Sequence, residues 1–63
     1  MTIELSTRTV YGILKYYPSN ELANTMTVLL GQKTLTPSDL RVLSRQFTLS
    51  VDGKETKVSE LNQ

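Results

Sequence analysis

Between Leu35 and Val58 the spacing of apolar positions changes from a helical period to a strand period. Leu40, Leu43 and Phe47 form one stripe, with Val42 at its edge, which predicts an amphipathic helix. Its start is marked by Leu35-Thr36-Pro37-Ser38-Asp39-Leu40. Thr36 is the N-cap, and Pro37 occupies the first helical position, where its missing amide costs nothing. Asp39 stands close to the reciprocal capping-box position, and Leu35 can staple to Leu40. Arg41, Ser44 and Arg45 point away from the stripe, and the basic residues near the C-terminal end suit the helix dipole. From Phe47 the period is two: Phe47, Leu49 and Val51 alternate with Thr48 and Ser50. Asp52-Gly53 is a type I′ turn dipeptide, whose central positions both need positive φ. A two-residue turn pairs Val51 with Lys54, Leu49 with Thr56 and Phe47 with Val58. Phe47, Leu49, Val51 and Val58 then share a core face, with Thr48, Glu55 and Lys57 outside. Leu61 tucks back, and Asn62 and Gln63 fray.

The N-terminal half carries two further segments. Thr7 to Tyr17 is rich in β-branched and aromatic residues, which predicts a strand. Val10, Ile13, Leu14 and Tyr17 also fit a helical stripe, but Gly12 and the threonines count against a helix. Thr2 to Leu5 is either an earlier part of that strand or a short strand of its own. Pro18-Ser19-Asn20 ends the strand, and Ser19 or Asn20 can cap a helix beginning near Glu21. Leu22, Met26, Leu29 and Leu30 give that helix its apolar stripe, and Gly31 is its natural C-terminal cap. The order strand, helix, helix, strand, strand predicts an α+β fold. We expect a three-stranded antiparallel sheet with both helices on one face.

Composition narrows the function. The chain of 63 residues forms one small domain and has neither cysteine nor histidine. Disulfide frameworks, thiolate metal sites, zinc fingers and Ser-His-Asp or Cys-His catalysis are thereby excluded. Seven basic and six acidic residues leave a net charge of +1, which is neither a polybasic tail nor an acidic mimic of DNA. No apolar run is long enough for a membrane span and no signal pattern opens the chain, so a cytoplasmic location is the expectation. Glu21, Asp39 and Asp52 are explained by helix starts and a turn. Glu4, Glu55 and Glu60 have no spacing that makes a catalytic pair. Gly31-Gln32-Lys33-Thr34 lacks the first glycine of a phosphate-binding loop and follows a helix rather than a strand. No enzyme activity, cofactor, metal or small-molecule substrate is expected.

Two surfaces remain as candidates. If Val10, Leu14 and Tyr16 face the helices, Tyr11, Ile13 and Tyr17 stand with Lys15 on the opposite face, an apolar, tyrosine-rich patch suited to a protein partner or a second copy of the chain. Arg41 and Arg45 form a second, polar surface. The alternative is a small winged-helix-like DNA binder, in which Ser38, Arg41, Ser44, Arg45 and Gln46 read bases and Lys54 and Lys57 on the hairpin contact phosphates. The balanced charge and the long Gly31–Leu35 loop weigh against it.

The strings T-R-T-V-Y-G, Y-Y-P-S-N and G-Q-K-T-L-T, with an alanine-bearing helix between them, resemble short open reading frames of tailed bacteriophages. The resemblance spans Thr7 to Leu40, about half the chain. It implies a small protein that acts in an infected bacterial cytoplasm by binding a host or viral macromolecule, and it assigns no functional residues.

Overall fold

The computed structural model describes residues 1–61. Strands β1 (Thr2–Val10) and β2 (Ile13–Pro18) form a first hairpin. Helices α1 (Glu21–Leu30) and α2 (Pro37–Leu43) follow. Strands β3 (Thr48–Val51) and β4 (Lys54–Thr56) form a second hairpin, and a 3-10 turn spans Val58–Glu60. The chain is α+β, but the expected three-stranded antiparallel sheet in β-α-α-β-β order is corrected to a four-stranded mixed sheet in the order β2-β1-β3-β4. β1 is antiparallel to β2 and parallel to β3.

The correction originates at Tyr11-Gly12. The segment Thr7–Tyr17, read as one strand, folds back there, with φ of 52° at Tyr11 and 77° at Gly12. Positive φ at both central positions is the signature of a type I′ turn, and it gives a hairpin with Val10 opposite Ile13. Thr2–Leu5 is consequently the first part of β1. That part pairs with β3, while Leu5–Val10 pairs with β2. A parallel pair needs a long crossover; β2, α1 and α2 supply it.

Strand registers assign the faces. Ile3 and Leu5 of β1, Tyr16 of β2 and Leu49 of β3 are buried on one face, where they cluster with Ala23 of α1, Leu35, Leu40 of α2, and Leu61. The second hairpin has the expected turn and the expected pairs Val51–Lys54 and Leu49–Thr56. The expected Phe47–Val58 pair does not form, because β4 ends at Thr56; both side chains still pack against the core. Leu61 is buried, as expected. The expected fraying of Asn62 and Gln63 lies outside the described residues.

Both helix starts follow their local signals. Thr36 and Asp39 exchange capping-box bonds, 3.1 Å from the Asp39 amide to Thr36 Oγ1 and 3.0 Å from the Thr36 amide to Asp39 Oδ2. Asn20 caps α1 through the Ala23 amide. The α1 stripe is rotated from the expected one. Ala23 and Thr27 are buried with Leu22 and Met26 beside them, whereas Leu29 and Leu30 face outward with Val28. A small residue at Ala23 brings the helix close to the sheet, and Thr27 satisfies its hydroxyl on the Asn24 carbonyl at 2.7 Å. Gly31 (φ 69°) then ends the helix in the left-handed conformation that glycine tolerates best.

The second turn is clamped to β1. Asp52 accepts from the Thr7 hydroxyl at 2.6 Å and the Thr7 amide at 3.0 Å, and its own amide donates to Leu5 O at 2.8 Å. The Thr7 hydroxyl, and after it the Thr7 amide, hold the Asp52 carboxyl below the usual range. For Asp39, partial burial acts to raise the value, and bonds from the Thr36 amide and the Gln32 side chain outweigh it. A carboxyl depressed in the folded state stabilises the fold above its unfolded pKa, about 4, and loses that contribution as pH falls through the folded value. Thermal midpoints should therefore decline on acidification below about pH 4. Thr7→Val should lower the midpoint at neutral pH and make the acid decline shallower. An unchanged pH profile in Thr7→Val would show that the clamp contributes nothing.

Candidate functional site

The face of the sheet turned away from the helices carries the even positions of β1 and the odd positions of β2. Strand pairing brings Arg8 opposite Lys15, Val10 opposite Ile13 and Ser6 opposite Tyr17. The expectation for Ile13, Lys15 and Tyr17 and that for Val10 part company here. Ile13, Lys15 and Tyr17 do lie on the open face, with Ile13 61% exposed. Val10 joins them rather than facing the helices, because the turn at Tyr11-Gly12 makes it the cross-strand partner of Ile13. Tyr11 is on neither face: it is the apex of the turn and is 99% exposed.

Two features of this hairpin oppose folding. A non-glycine residue in the left-handed region costs about 1–2 kcal/mol, and Asn, Asp or Gly normally occupies this turn position. Tyr11 takes that conformation while its side chain stands in solvent. Arg8 and Lys15 are like charges directly opposite one another, an unfavourable cross-strand pair. Arg8 is partly accommodated by the Tyr17 ring on the diagonal, 5.2 Å from guanidinium carbon to ring centroid. Glu4 and Glu55 share the open face but belong to its other end, in the row containing Ser50.

Both sheet edges are blunted. The Leu35 amide donates to Tyr16 O at 2.9 Å, so the loop before α2 covers part of β2, and Pro18 ends that strand without an amide. β4 is three residues long and includes Lys54 and Glu55. A second copy of the chain adding to the β2 edge, one form of the expected self-association, would have to displace the Tyr16–Leu35 bridge.

The residues of the DNA-binding alternative are only partly brought together. Ser38, Arg41 and Arg45 are exposed along α2 and its C-terminal extension, as are Lys54 on the second hairpin and Lys57 just beyond it, at the start of the 3-10 turn. The Ser44 hydroxyl is committed to the Arg41 carbonyl at 2.7 Å. Ser44 and Lys57 line a shallow groove of about 300 Å³, but Glu55 lines it too and opposes a phosphate there. The second hairpin is not a free wing, since its first strand is an inner strand of the sheet.

Sequence reasoning missed one surface. Val28, Leu29 and Leu30 of α1 and Val42 of α2 are all exposed, and Leu30 and Val42 line a hollow of about 200 Å³ with Asp39 and Leu43. The available signal was the run of three apolar residues at 28–30, more than one helix face can bury. Among the described residues, no group of three or more acidic side chains is placed to hold a metal ion, and no helix is long and apolar enough to cross a membrane. Comparison with known proteins found no matching family model, no similar curated protein and no matching solved structure.

Proposed function

We propose that the protein is a non-catalytic binding module that engages another protein through the outer end of its first hairpin, with Tyr11 as the anchor and Val10, Ile13, Lys15 and Tyr17 around it. The observation that carries this reading is Tyr11 itself. A fully exposed aromatic ring held in a left-handed backbone conformation lowers stability, and at 99% exposure the side chain gains no compensating burial among the described residues. Such strain concentrates at functional sites, and tyrosine is a preferred anchor at protein interfaces. The exposed Ile13 beside it and the opposed Arg8 and Lys15 support the same surface. The resemblance to tailed-phage reading frames supports a host or viral protein as the partner and the bacterial cytoplasm as the place of action.

The test separates binding from folding. Asparagine is well suited to the first central position of a type I′ turn, so Tyr11→Asn should raise stability by about 1 kcal/mol. The same change should abolish capture of a stoichiometric partner from nuclease-treated bacterial lysate, read by mass spectrometry. Tyr11→Asn protein that is more stable and captures the same partner would sink the assignment of this surface.

A further inference from the structure

We infer that the protein docking on the first hairpin is acidic at the contact: it places a carboxylate side chain between Arg8 and Lys15, beside an apolar contact on Val10 and Ile13. This inference deepens the reading above and rests on it. The open face of the sheet divides by charge. Arg8 and Lys15 stand directly opposite one another near the turn, whereas Glu4 and Glu55 flank Ser50 at the far end. Glu4 is four positions from Arg8 along β1, about 13 Å in an extended strand. That exceeds the screening length of about 8 Å at physiological salt, so Glu4 does little to neutralise the pair. Asp52 commits its carboxylate to the Thr7 hydroxyl and amide. Among the described residues, neither Arg8 nor Lys15 has a carboxylate within ion-pair distance.

The geometry of the pair suits a single anion. Directly opposed strand residues have Cβ atoms about 5 Å apart, so one carboxylate reaches both cations. The Tyr17 ring holds the Arg8 guanidinium carbon 5.2 Å from its centroid. A guanidinium stacked on a ring keeps its N–H edge for paired hydrogen bonds to two carboxylate oxygens, and the Lys15 ammonium adds a point charge. In the free protein the two cations repel each other. An anion between them adds two attractions and screens that repulsion. Val10 and Ile13 form the next row on the same face, about 7 Å along the strands. An apolar and an acidic residue at i and i+2 of an extended partner segment therefore cover both rows. Single-stranded nucleic acid fits less well. Base stacking needs an open ring, and Arg8 lies over Tyr17. A phosphate backbone continuing along the face would also meet Glu4 and Glu55.

The probe is a synthetic peptide in which leucine and glutamate alternate along one face of an extended chain, with threonine on the other. The same peptide with every glutamate replaced by lysine, and an oligothymidylate, are the comparisons. Each is titrated into isotope-labelled protein and followed by amide chemical shifts. The glutamate peptide should move the Arg8, Ile13 and Lys15 amides and leave those of Arg41 and Arg45 in place. Arg8→Glu with Lys15→Glu keeps a like-charge pair and changes only its sign, and circular dichroism checks that the fold survives. This variant should bind the glutamate peptide roughly tenfold or more weakly and admit the lysine peptide instead. The proposal is overturned if the glutamate peptide leaves these amides unmoved or if the lysine peptide binds wild-type protein as well. It is equally overturned if the oligothymidylate binds there more tightly than the glutamate peptide. Lysate capture separates the two assignments. If Tyr11→Asn loses the partner and Arg8→Glu with Lys15→Glu keeps it, the Tyr11 reading stands and the acidic contact is wrong. If Tyr11→Asn keeps the partner and the charge variant loses it, Tyr11 is not the anchor and the acidic contact stands.

Discussion

Ile3→Ala should leave much of the protein unfolded at room temperature. Ile3 is 0% exposed and lies opposite Leu49 at the junction of the two hairpins. Removing a buried isoleucine to alanine costs about 2–5 kcal/mol, with the cavity term largest where neighbours cannot collapse. Ile3 is on an inner strand held on both sides, by β3 along its own row and by the Ser19 and Asn20 bonds to Glu4, so the site has little freedom to close up. A domain of this size without disulfides has only about 3–5 kcal/mol in total. The expected result is a far-UV circular dichroism spectrum shifted toward coil and a urea transition with no folded baseline. Ile13→Ala is the control: the same chemical change at a side chain 61% exposed should shift the midpoint by no more than about 0.5 kcal/mol. Equal effects at the two positions would mean that β1 is not the centre of the sheet.

The contrast between Ile3 and Ile13 also shows what the amino-acid sequence could reveal. Where several local signals agree, it was readable. The start of α2 has a cap, a proline, a carboxylate and a staple within six residues, and the second hairpin has a favoured turn dipeptide between alternating strands. The first hairpin has no such agreement. Tyr11 has high strand propensity, so Tyr11-Gly12 reads as the middle of a strand, and only Gly12 hints at the bend. Missing that turn hid three consequences: a fourth strand, the reversal of Val10 to the open face, and the Arg8–Lys15 pair. The parallel β1–β3 pairing is harder still, because its partners lie some 46 positions apart and no local pattern specifies them. Ile13 and Tyr17 were recognisable as surface candidates because period-two alternation survives within β2. Tyr11 was recognised as exposed for the wrong structural reason, being the apex of a turn rather than a position on a strand face. The exposed end of α1 was misread because Leu29 and Leu30 fit a stripe as well as Ala23 and Thr27 do, and only packing decides between them.

Asn20→Ala should cost about 2–3 kcal/mol, more than a helix cap alone supplies. Asn20 Oδ1 accepts from the Ala23 amide at 2.9 Å, which is the cap, and also from the Glu4 amide at 3.3 Å. Asn20 Nδ2 donates to Thr2 O at 2.9 Å. β2 pairs with β1 only as far as Leu5–Pro18, so the Thr2 carbonyl and Glu4 amide have no strand to pair with on that side. One amide side chain takes the place of the missing strand and joins the start of α1 to the start of β1. Serine and aspartate are comparable to asparagine as caps, but serine is too short to bridge to Thr2 and aspartate has no donor for its carbonyl. If Asn20 acts only as a cap, Asn20→Ser will match wild type in urea denaturation. If it also completes the sheet edge, Asn20→Ser should fall about 1 kcal/mol below wild type while keeping α1 intact. Asn20→Asp should then protect the Ala23 amide from exchange but not restore the bond to Thr2. That result would place the bridge, rather than helix propensity, as what holds the N-terminal strand in the sheet. It would also explain how α1 keeps a stable start although Thr25, Thr27 and Val28 disfavour the helix.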